Sequence, residues 1–113
     1  MSGYICIRSN EYFDEYDIYL IKFVENIKEF DITMREIEPI WGKYKKVFEI
    51  PLNKVEILYR LFTYNFQNFH YYKEGGGIYF YKKDALRFIT SFLNKLKINY
   101  KELSNDEIEK LII

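Results

Sequence analysis

The chain has 113 residues, 49% of them apolar, with 12 Tyr, 10 Phe and one Trp. That length fits one domain with one hydrophobic core, and that composition excludes intrinsic disorder. Formal charge sums to zero, the single cysteine excludes an internal disulfide, and no apolar run approaches the roughly 18 residues of a membrane-crossing helix.

In chain order, "GYICIRS" reads as a strand apolar on both faces, hence central in a sheet. "NEYFDEYD" is a polar loop, and "IYLIKFV" (18–24) is a second, β-branched and aromatic strand forming a hairpin with the first. Ile27, Phe30, Met34 and Ile37 follow at helical spacing, and Pro39 ends that helix. "KYKKVFEI" (43–50) is a third strand closed by Pro51; Asn53 is placed to cap a helix running to about Phe69. Gly75 to Gly77 form a turn before a fourth strand, "IYFY". "DALRFITSFLNKLKI" is an amphipathic helix with Asp84 near its start, where the helix dipole favours an anion. Ser104 and Glu107 make the capping box of a last helix, Asn105 to Ile112. The order β-β-α-β-α-β-α-α predicts an α+β fold: a small, mainly antiparallel sheet flanked by helices.

The same local sequences carry a resemblance. "GYICIRSN" (3–10), "YLIKFVENIKEFD" (19–31), "FEIPLNK" (48–54), "VEILYRLFTYNF" (55–66) and "GGGIYFY" (75–81) occur in the order and spacing of the GIY-YIG nuclease superfamily. The chain is similar to the variant common in phages and large DNA viruses. The resemblance covers about residues 3–95. It implies a single GIY-YIG-like domain over 1–113, with that core and a C-terminal helical extension over about 96–113.

As the resemblance implies it, the family's chemistry is one-metal phosphodiester hydrolysis. Strand tyrosines handle water, a first-helix arginine holds the scissile phosphate, and a second-helix glutamate binds the metal. Carried over residue by residue, the first-strand tyrosine falls on Cys6. The second-strand tyrosine and glycine fall on Leu20 and Lys22. The arginine falls on Phe30, the glutamate on Tyr59, and a later acidic residue on Tyr79. A phenol with an ordinary pKa near 10 does not replace a carboxylate on a hard metal at neutral pH, and phenylalanine binds no phosphate. Losing the metal and the arginine removes on the order of 10³-fold each. The expectation is therefore a catalytically silent relative that needs no cofactor. An active alternative, using Mg²⁺ or Mn²⁺, would rest on Glu56 with Tyr4 or Tyr19.

Charge is unevenly placed along the sequence. Residues 1–41 hold nine acidic and four basic side chains, while residues 43–101 hold four acidic and twelve basic. Lys43, Lys45 and Lys46 form one basic cluster; Lys82, Lys83 and Arg87 form another. Both are candidates to meet the backbone of DNA or RNA, against the alternative of an ordinary solvated surface. The excess of tyrosines fits a protein partner or a homodimer as well as it fits base stacking. Lone His70 has no partner at metal-ligand spacing, and the glycine triad lacks the lysine and hydroxyl of a phosphate loop. With no secretory signal evident in "MSGYICIRSNEYF", an intracellular location is expected: host cytoplasm or virion for a viral protein.

Overall fold

The computed structural model describes residues 1–9, 18–37, 43–74 and 78–113. The strands are β1 (Ser2–Ser9), β2 (Ile18–Val24), β3 (Lys43–Pro51), β4 (His70–Glu74), β5 (Ile78–Lys82) and β6 (Lys101–Glu102). The helices are α1 (Ile27–Ile37), α2 (Val55–Asn65), α3 (Ile89–Lys95) and α4 (Asn105–Ile112). The fold is α+β. All six strands join one antiparallel sheet in the order β4-β5-β2-β1-β3-β6.

β1 is buried on both faces because both faces carry helices. Ile5 and Ile7 point to one side, where Tyr19, Ile21 and Phe23 of β2 and Phe48 and Ile50 of β3 meet α2 and α3. Cys6 points to the other side and packs with Val24, Val47, Ile27 of α1, Leu103 and Ile108 of α4. The sheet therefore separates two apolar layers. Gly3 sits where α2 begins; a Cβ there would lie 2.1 Å from Val55 Cγ2, so only glycine lets the two segments approach.

α1 begins where Asn26 Oδ1 accepts the Glu29 backbone N–H at 3.0 Å. The capping box predicted for α4 is present, with both Ser104–Glu107 bonds formed, at 3.2 and 3.1 Å. Residues 96–113 are integral to the packing rather than appended. Leu103 donates its N–H to the Val47 carbonyl at 2.9 Å, and Leu103 and Ile108 are both buried in the second layer.

Five features differ from the sequence expectation. Asn53 does not cap α2: it lies in a 3₁₀ turn, Leu52–Lys54, which carries the chain from Pro51 into the helix, and no side chain caps the start. α2 stops at Asn65 rather than near Phe69, because Phe66 leaves helical geometry and a second 3₁₀ turn follows at Gln67–Phe69. The segment from Lys83 to Phe88 is a 3₁₀ turn, so α3 is shorter than its apolar spacing predicted. β4 and β6 were not expected. β4 pairs with β5 across the glycine triad, so the aromatic run "HYYKE" is a strand. The loop at 10–17, Trp41 and the turn at 75–77 lie outside the described residues, as do the side chains of Lys43, His70, Tyr79, Lys82, Lys83 and Asp84.

Candidate functional site

The nuclease-like positions do not converge on one pocket. Cys6 lies directly opposite Lys22, and Leu20 opposite Arg8, in the β1–β2 register, all on the α1 face of the sheet. Phe30 packs against that same layer. Tyr59 lies on the other face, packed on the first core with its ring 6.2 Å from that of Phe23. Tyr79 stands on β5 opposite Lys73.

The alternative set is divided in the same way. Tyr4 packs into the α1-side layer, whereas Tyr19 is buried in the α2-side layer. Glu56 projects to solvent on α2, where its Oε1 accepts from Arg60 Nη2 at 2.7 Å. The Tyr4 phenol is pushed above its ordinary pKa, first by burial and then by the Glu49 charge, which makes it a weaker source of phenolate. Burial pushes the Cys6 thiol far higher still, with Arg8 opposing and Asp31 adding, so the thiol stays protonated and unreactive.

What does converge is a charged cluster that the sequence reading passed over. Arg8 (1% exposed) reaches from β1 to Asp31 of α1 (2% exposed), Nη1 to Oδ1 at 3.3 Å. Tyr44 of β3 donates its hydroxyl to the same Oδ1 at 2.8 Å, and Arg35 Nε lies 2.8 Å from Oδ2. The guanidinium of Arg8 sits 4.3 Å from the centroid of the Tyr44 ring and 5.7 Å from that of Phe30. Phe30 thus borders an arginine instead of being one. Two signals for this cluster exist in the sequence. Arg8 interrupts a strand otherwise apolar on both faces, and Asp31 falls four residues after Ile27 and three before Met34, inside the helix's apolar stripe. Buried as it is, the cluster is suited to fixing α1 against β1 and β3 rather than to contacting a ligand.

The two basic clusters, by contrast, reach the same end of the sheet. In the antiparallel register Lys43 pairs with Ser9, Ser9 with Tyr19, Tyr19 with Tyr81, and Lys82 with Ile18. Lys43 and Lys82 therefore occupy the same end of the sheet, three strand steps apart, or about 14 Å. Lys45 is the unopposed residue of a bulge in β3 at that end, exposed, with Nζ 6.0 Å from the centroid of the Tyr19 ring. Lys83 and exposed Arg87 lie in the turn that leaves β5. Lys46 lies 3.3 Å from Glu102 of β6, which neutralises it locally.

Among the described residues no group of three potential metal-ligating side chains occurs, and no helix is long and apolar enough to cross a membrane. Comparisons with known protein families, with curated proteins and with solved structures returned no match.

Proposed function

We propose that the chain is a non-cutting, GIY-YIG-like domain, of the kind common in phages and large DNA viruses, that binds nucleic acid through the basic end of its sheet. One observation carries the reading. The strand register gathers Lys43, Lys45, Lys82 and the following Lys83 and Arg87 at one end, while the residues a hydrolytic site would need are spread over both faces. Basic residues whose backbone positions lie some 14 Å apart along a sheet end can meet separate, non-adjacent phosphates of one nucleic-acid backbone. Tyr59 is engaged with Phe23, and Glu56 with Arg60, on one side of the sheet. Cys6, Lys22 and Phe30 lie on the other, so no small shift of register assembles them. The virion or the interior of the infected cell would be its setting.

Incubation of supercoiled plasmid with the protein and Mg²⁺ or Mn²⁺ tests this reading. The expected outcome is retarded but intact DNA. The double variant Tyr59→Glu, Phe30→Arg is expected to remain unable to nick, because the two positions lie on opposite faces of the sheet. Metal-dependent nicking by the unaltered protein would reverse the reading in favour of an endonuclease using Glu56.

A further inference from the structure

Next to the basic end lies a cavity of about 410 Å³ between the end of α2 and α3. Phe66, Phe69, Phe88 and Phe92 form its walls, and among the described residues that line it Lys95 carries the one charge. The size is within the range of small-molecule sites, and an apolar wall with one or two polar groups is their usual construction. The Phe66 ring is already supported from behind, stacked on Phe62 at 4.3 Å and 21°. Phe88 is 39% exposed, with the Arg87 guanidinium 5.3 Å from its ring centroid, and Phe69 and Phe88 meet at 5.6 Å.

The cavity and the basic end are joined by the chain itself. Phe69 immediately precedes His70, which pairs with Tyr81, and Phe88 closes the turn that carries Lys83 and Arg87. A strand whose phosphates follow the basic end is thus brought to an aromatic cavity bordered by cations. Among the described residues that line the cavity there is no carboxylate.

We infer that the cavity accepts an unstacked nucleobase, so that a single strand is preferred over a duplex at this end. The inference rests on the nucleic-acid binding proposed above. A base in a single strand can turn into an aromatic cavity without breaking a base pair, whereas a duplex must first be opened. Stacking on aromatic rings is tolerant of sequence, so the preference is for strandedness rather than for a particular base.

Fluorescence anisotropy with three labelled probes of equal length tests it: an oligothymidylate, a duplex, and a strand of abasic sugar-phosphate. The single strand is expected to bind at least about 10-fold more tightly than the other two. Phe88→Ala, at a part-exposed position that tolerates truncation, is expected to weaken only the base-bearing single strand, by roughly 5- to 150-fold. Lys45→Glu with Arg87→Glu is expected to weaken all three. Equal affinity for the base-bearing and abasic strands, or a preference that survives Phe88→Ala, overturns the inference and leaves the basic-end reading standing. Failure of all three probes to bind overturns both. The wild-type comparison of base-bearing with abasic strand decides the matter even where a variant folds poorly.

Discussion

Arg8 and Asp31 are 23 residues apart in the sequence and 3.3 Å apart in the fold, both almost fully excluded from solvent. A buried charge with its partner removed is far more costly than the pair is beneficial. Asp31→Ala takes a buried ionic partner from Arg8 and an acceptor from Tyr44 and Arg35, and is expected to destabilise by about 3–5 kcal/mol in urea denaturation. The double substitution Arg8→Met, Asp31→Leu removes both charges and is expected to return to within about 1 kcal/mol of the parent. A double variant as unstable as the single would show that packing, not unpaired charge, is what Asp31 supplies.

Alkaline titration reports on the same neighbourhood. Burial raises the pKa of Cys6, and burial with the Asp31 hydrogen bond raises that of Tyr44. Both groups stay neutral in the fold while the unfolded chain ionises, from about pH 8.5 for the thiol and about 10 for the phenol. Their contribution is complete below those values and is lost as pH rises beyond them. Denaturation midpoints are therefore expected to fall above about pH 8.5, with Tyr44→Phe flattening the part of the slope above about pH 10. An unchanged slope in Tyr44→Phe would contradict the assignment. The sequence shows each residue alone, Arg8 within an apolar strand and Asp31 within an apolar stripe, but their pairing depends on how helix and sheet pack, which local patterns do not encode.

At the scale of elements, the legible parts are those whose signals are local. β2 was read with its observed bounds, α1 ends before Pro39 as expected, and the Ser104–Glu107 capping box marks the last helix. The misread parts are those decided by distant partners. β6 is two residues long and exists because β3 offers an edge. β4 needed β5, and its aromatic run resembles a helix end as much as a strand. The 3₁₀ turns around α2 and α3 reflect where the chain must tighten to seat these helices on the sheet, which apolar spacing alone does not specify. α4 illustrates the consequence for stability. Ile108 fills the second layer against Cys6 and Val47, so Ile108→Ala is expected to cost about 2–5 kcal/mol in urea denaturation. Exposed Lys110→Ala on the same helix should change stability by less than about 0.5 kcal/mol. A negligible effect of Ile108→Ala would show the last helix to be peripheral to the fold.

Across the whole molecule, the sheet is both scaffold and divider. It keeps the α1–α4 layer, with its buried charge cluster, apart from the α2–α3 layer, with its aromatic cavity. It also converts a sequence asymmetry into a spatial one, since two basic clusters some forty residues apart reach the same end. The charge imbalance was visible in the sequence; its focusing on one end required the strand order. Between Ser9 and Ile18 the sequence holds Glu11, Asp14, Glu15 and Asp17, four carboxylates that count against attraction for a polyanion, and the expected affinity is in the weak, salt-sensitive range.

The salt dependence of binding to a labelled single strand tests the central claim most directly. Four or five cations meeting phosphates predict that the logarithm of the affinity falls with the logarithm of salt at a slope of about −3, and that Lys45→Glu with Arg87→Glu makes it shallower. An affinity indifferent to salt, or a charge-reversed variant that binds as the parent does, would contradict the account.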